Sequence, residues 1–139
     1  MDSPESKPQI ENWVKLRHEC SPLEIFIKLR HGAEEDVKAR NSLLRSDASV
    51  EFGIFAQDNF FSVTKDVRDE FGNIRKLAEW VQFSWDHNGI TVKSEKDTKG
   101  KTASLALTDD AQCRLKLDGD ELSCGQFRKR ILEDLFFDL

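Results

Sequence analysis

The chain has 139 residues, a formal net charge of −5, an apolar share of 38% and a charged share of 34%. A chain of this length folds as one domain and buries roughly 70% of its unfolded surface. Ten Phe and three Trp supply large core side chains, which excludes a disordered type. The acidic balance disfavours nucleic acid, whose affinity comes from Lys and Arg neutralising phosphates.

No apolar run approaches the ~20 residues of a membrane span, and the opening Asp2-Ser3-Pro4-Glu5 lacks a signal-peptide pattern. The expectation is a soluble, cytoplasmic protein with no membrane and no nucleic-acid partner. Three cysteines, Cys20, Cys113 and Cys124, are odd in number and widely scattered. That is not a disulfide framework, so all three are expected as reduced thiols.

Residues 1–9 carry two of the three prolines and are read as a disordered tail, with residues 10–139 as a single α+β domain. Trp13, Val14 and Leu16 fit either a short helix or a strand, and the reading leans towards a strand from Trp13 to Glu19. Ser21-Pro22-Leu23-Glu24 predicts a helix start. Ser21 is placed to cap, Pro22 occupies the first position and Glu24 completes a capping box. Leu23, Phe26, Ile27, Val37 and Leu44 follow its apolar face. Gly32 either splits this helix or weakens it by about 1 kcal/mol relative to Ala.

From Ser49 the apolar period changes from helical to alternating. Val50, Phe52 and Ile54 share a strand face, a turn falls at Gln57-Asp58-Asn59, and Phe61 and Val63 continue the face. Arg68 to Asn73 reads as a polar turn. Leu77, Val81, Phe83 and Trp85 mark a long strand, and Asn88-Gly89 marks a tight hairpin into Ile90 and Val92. Glu95 to Lys101 reads as a charged loop. Strands follow at Ala103–Leu107 and Cys113–Leu117, with turns at Asp109-Asp110 and Asp118-Gly119. Ser123 and Gln126 form a second capping box before a C-terminal helix with Phe127, Ile131 and Leu135 on its face.

The predicted fold is therefore α+β. An antiparallel meander of about six strands carries an N-terminal helical segment and a C-terminal helix on one face. The order of elements is similar to that of the helix-grip fold, in which a curved antiparallel sheet wraps a C-terminal helix. That resemblance is in element order alone and implies a pocket between sheet and helix. A flatter two-layer arrangement fits the same order. Shared phase on helices and strands predicts one core from Phe26, Ile27, Phe52, Ile54, Val63, Val81, Phe83, Leu105, Leu115, Phe127, Ile131 and Leu135.

Motifs that suggest chemistry fail on their context. Gly100-Lys101-Thr102 lacks the earlier glycine of a phosphate loop, since position 95 is Glu, and is followed by strand-like alternation. Asp118 and Asp120 alternate as calcium ligands do, without the distal Glu. His18 and Cys20 with Cys113 or Cys124 could ligate zinc, but no Cys-x-x-Cys pair exists. No serine elbow accompanies His18, His31 or His87, and nothing orients a Cys20–His18 pair.

No catalytic residue, metal or cofactor is assigned. The leading expectation is a non-enzymatic binding or protein-interaction module. The alternative is a small-molecule-binding or catalytic pocket between a curved sheet and the helices. Phe55, Phe60 and Trp80 fall out of phase with the core-facing positions, on a face that should be polar. They are predicted to form an exposed patch covered by a second copy of the chain or by a partner.

Overall fold

The computed structural model describes residues 10–45, 48–68, 71 and 74–138. A 3-10 turn at Ile10–Asn12 leads into α1 (Trp13–Glu19) and α2 (Pro22–Ser42). Seven strands follow: β1 (Val50–Ala56), β2 (Phe60–Arg68), β3 (Ile74–Asp86), β4 (Gly89–Ser94), β5 (Asp97–Leu107), β6 (Cys113–Leu117) and β7 (Asp120–Leu122). Helix α3 (Cys124–Phe137) comes last. The strands lie in the sheet in their sequence order, each antiparallel to the next. This is the predicted α+β meander, with one strand more. The seventh, Asp120–Leu122, is only three residues long and fits between the Asp118-Gly119 turn and the cap of α3. The tail at residues 1–9, and most of the turn at residues 68–73, lie outside the described residues.

One face of the sheet carries both long helices. Phe26 of α2 meets Phe61 of β2 with ring centroids 5.4 Å apart, Phe61 stacks on Phe83 of β3 at 4.6 Å, and Phe127 of α3 meets Phe83 edge-on at 6.1 Å. Four rings from both helices and two central strands thus lie in one layer, where offset and edge-on contacts add to area burial. Of the twelve predicted core residues, Phe26, Phe52, Val63, Val81, Phe83, Leu115, Phe127 and Leu135 are buried. Ile27, Ile54, Leu105 and Ile131 pack against them while partly exposed.

The buried face of α2 is Ile25, Phe26, Leu29, Ala33, Val37 and Arg40, and Leu23 is exposed. That face steps three or four residues at a time from Phe26, so the helical period was right and its starting point was displaced.

Two local expectations change, and one of the two alternatives at Gly32 is seen. Trp13–Glu19 is a helix rather than a strand. None of its residues is buried and it rests on α2, so no sheet face selects alternation. Helix α2 runs through Gly32 unbroken. A Cβ at that position would collide with the guanidinium of Arg128, which crosses α2 to pair with Asp36 at 2.7 Å. The glycine provides room for a close approach rather than a break. The charged stretch Glu95–Lys101 is mostly strand. Only Glu95 and Lys96 turn, with Asp97 N–H donating to Ser94 Oγ and Gly100 N–H to Asp97 Oδ1. Side chains here tie down a hairpin that projects beyond the core, so its polar composition hid the extended backbone.

The two capping boxes differ. At α3, Ser123 Oγ accepts from Gln126 N–H and Gln126 Oε1 accepts from Ser123 N–H, closing the box. At α2, Ser21 is the N-cap and Pro22 the first residue, but the Ser21 side chain makes no cap bond. The Asn88-Gly89 hairpin forms as expected. Gly89 has φ of +136° and lies so close to the Ala103 carbonyl that no side chain fits.

The edge of β1 is closed by a side chain. Gln57 N–H donates to Phe60 O and Arg68 N–H to Ser49 O. These two bonds fix the antiparallel parity, so Val50, Phe52, Ile54 and Ala56 turn their backbone groups away from β2. Asn41 of α2 then donates from Nδ2 to Phe52 O at 2.8 Å and accepts at Oδ1 from Phe52 N–H at 3.0 Å. An amide side chain occupies the place of a neighbouring strand.

The cysteine expectation is overturned. Cys20 and Cys113 form a disulfide across 93 positions of sequence, joining the α1–α2 junction to the start of β6. Cys124 is free and half-buried. Sequence spacing gave no hint because the fold itself brings these distant segments within bonding reach.

Candidate functional site

The predicted patch is divided. Phe55 is 54% exposed and packs on half-buried Phe60 with centroids 6.1 Å apart. Phe60 lies opposite Ser84 in the β2–β3 register and Trp80 lies opposite Thr64. Trp80 is therefore four positions further along β3, about 13 Å at the rise of a strand. All three residues share the face opposite the helices, between Ser62, Thr64, Gln82 and Ser84. Trp80 is half-buried, with its backbone N–H donating to Glu95 Oε2 at 2.9 Å. The structure brings Phe55 and Phe60 together and leaves Trp80 apart.

The helix-bearing face has a different concentration of chemistry. Arg40, in the last turn of α2, is 8% exposed, and Lys65 of β2 is 6% exposed. Both point at the C-terminal end of α3. Arg40 Nε donates to Phe136 O at 2.8 Å and Lys65 Nζ to Asp138 O at 3.0 Å. A helix ends with unsatisfied carbonyls and a negative dipole end, and cations there answer both. The Arg40 guanidinium also lies over two rings, 5.2 Å from the Phe52 centroid and 4.7 Å from that of Phe137. Such a stack favours a cation without neutralising it.

Two open recesses flank this point, and Arg40 and Leu43 belong to the walls of both. One, of about 640 Å3, lies over the β1–β3 end of the sheet with Lys65, Leu44, Val50, Val67 and Glu79 on its walls. The other, of about 320 Å3, runs between α2 and α3 beside Asp36, Arg128, Leu132 and Phe137. Leu43 is 72% exposed and Phe137 63% exposed, so apolar groups rim the buried cation.

A third recess, of about 380 Å3, lies between β3–β5 and α3. Two of its cations are paired: Lys101 with Asp118 at 2.9 Å, and Arg130 with Asp120 at 2.8 Å. The Asp118 carboxylate raises the Lys101 pKa, first by its hydrogen bond and then by its charge.

The other sequence candidates take structural places. Gly100-Lys101-Thr102 lies within β5, where no helix start follows to receive a phosphate. Cys20 and Cys113 are consumed by their bond. Among the described residues, no three His, Cys, Asp or Glu side chains gather as a metal site. His18, His31 and His87 are all exposed.

Sequence reasoning missed Arg40 and Lys65, and the signal available was weak. Arg40 follows Phe26, Leu29, Ala33 and Val37 at core spacing, and Lys65 follows Phe61 and Val63 at strand spacing. A charged residue in a core phase is the mark of a buried ion. Comparison of the chain with protein-family models, with curated proteins and with solved structures finds no match.

Proposed function

We propose that this protein is a non-enzymatic binding module whose binding surface is the rim where α2 and α3 end over the sheet. The observation that carries the reading is the buried Arg40 charge, held at the wall of open recesses and rimmed by exposed Leu43 and Phe137. Burying a cation is costly, and placing one under an apolar rim favours recognition over packing. The interior is filled by ring-on-ring contacts, which argues against the enclosed pocket that a helix-grip arrangement would offer. Catalysis would need a base within reach of a nucleophile, whereas the three histidines stand on the surface.

Phe55 and Phe60 supply a second surface, suited to a protein partner or a second copy of the chain. Among the described residues no helix is long and apolar enough to cross a membrane. The cytoplasmic expectation rests on composition, and the Cys20–Cys113 bond weighs against it, because such bonds persist in oxidising compartments.

Native mass spectrometry of the protein purified from its own source without denaturation tests the binding reading. A stoichiometric companion mass that leaves on denaturation is expected. A bare chain that turns over a substrate through one of its own side chains would refute it.

A further inference from the structure

We infer that the recess at Arg40 and Lys65 binds an organic carboxylate with an apolar body, an assignment that rests on reading the chain as a binding module. Among the described residues, Nε is the one side-chain nitrogen of Arg40 with a hydrogen-bond partner, the Phe136 carbonyl, and no carboxylate pairs with Arg40. The nearby acids among the described residues pair with cations other than Arg40. Asp36 is held by Arg128 at 2.7 Å, and Glu79 Oε1 lies 3.8 Å from Lys65 Nζ. Arg45, also on the wall, has a partner of its own. Among the described residues this leaves the Arg40 guanidinium without a carboxylate partner, its unbonded nitrogens reached by solvent, and one such cation calls for a monoanion rather than a dianion.

The guanidinium lies over the Phe52 and Phe137 rings and is tethered through Nε, which leaves its two terminal nitrogens available to a ligand. Two parallel donors in a plane match the two oxygens of a carboxylate. Lys65, nine-tenths buried on the same wall, adds a second donor. Leu43, Leu44, Ala48, Val50 and Val67 supply the apolar part of the wall, beside Arg45, Ser49 and Glu79, and the body of the ligand is apolar to match it. A recess of about 640 Å3 is in the range that holds small organic ligands.

Calorimetric titration of the full chain with octanoate tests the assignment, with octanamide and inorganic phosphate as controls. Octanoate is expected to bind saturably at one per chain. Octanamide should bind about tenfold or more weakly, the worth of one charge-assisted contact. Phosphate should not compete. Because Arg40 and Lys65 both also hold the end of α3, Lys65→Met is paired with the exposed Leu43→Asp, which touches neither bond, and each is checked for fold by its amide NMR spectrum. Both should weaken octanoate about tenfold.

Absence of saturable octanoate binding, equal binding of octanamide or phosphate, or unchanged affinity in both folded variants would overturn it. If octanoate fails while the natively purified chain still carries a companion, the binding-module reading survives and this ligand assignment falls.

Discussion

Asn41 binds the backbone of Phe52 through both halves of its side-chain amide, at 2.8 and 3.0 Å, as a strand neighbour would. The contact fixes the end of α2 to the outermost long strand and occupies the middle of an edge that could otherwise pair with another chain. Asn41→Leu should therefore act twice. Stability should fall by about 1–3 kcal/mol through the unsatisfied groups of Phe52, measured by urea unfolding. The freed edge should also raise concentration-dependent association in light scattering. A variant as stable and as monodisperse as wild type would show that the pairing is incidental.

The layer of rings joining Phe26, Phe61, Phe83 and Phe127 is the centre of the molecule. Phe83 and Phe127 are fully buried and each meets a partner from another element. Truncating either to Ala is expected to cost about 3–5 kcal/mol, read as a lowered unfolding midpoint. Phe137→Ala, at the exposed rim, should cost much less.

The two serine caps provide an internal comparison. Ser123→Ala breaks a closed box and is expected to cost about 1 kcal/mol. Ser21→Ala removes no side-chain cap bond and should cost little. Chemical denaturation of both variants decides whether the difference seen at the two helix starts is energetic.

Alkylation under denaturing conditions without reductant should modify one cysteine, Cys124, and after reduction all three, as counted by intact mass. Loss of the Cys20–Cys113 bond in a Cys20→Ser/Cys113→Ser pair should lower stability by about 2–5 kcal/mol. In the native state Cys124 should react slowly, because burial raises its pKa above the ordinary thiol value of 9.0. The sign follows from the proton being held more tightly in the folded chain. This group's contribution to stability is complete below the ordinary thiol pKa and is lost as pH rises through the raised one. The alkylation rate of native protein should keep climbing past the pH at which a free thiol levels off.

On the opposite face, Phe55→Ser should reduce any self-association of the chain, since Phe55 is the exposed member of the Phe55–Phe60 pair. Trp80→Ser should leave it unchanged, because Trp80 stands apart. Light scattering across a concentration series compares the two. A wild type that stays monomeric at high concentration would confine this surface to partners other than itself.

Much of the architecture could be read from residue order. Alternation in Phe61–Lys65 and Val81–Trp85, the Asn88-Gly89 turn and the Ser123–Gln126 pair each carry a local physical cause, and local causes survive in a single sequence. The failures share a different cause. Trp13–Glu19 was ambiguous because its apolar groups stay at the surface and packing imposes no period. Gly32 acquires its meaning from Arg128, and Cys20 from Cys113, each about 90 positions or more away. The candidate site is nonlocal in the same way. Arg40 matters because Phe52, Phe136 and Phe137 converge on it, and none of these is near it in sequence.

The disulfide also gives the chain a mechanical character. Residues 20 to 113 form a covalent ring that contains α2 and strands β1–β5, while α1 on one side and β6, β7 and α3 on the other hang outside it. A force applied between the two ends of the molecule is carried past the ring through the sulfur bridge. Pulled apart with that bridge intact, the chain would withhold on the order of 300 Å of contour length, at about 3.3–3.6 Å per residue, and yield it only when the bond is cut.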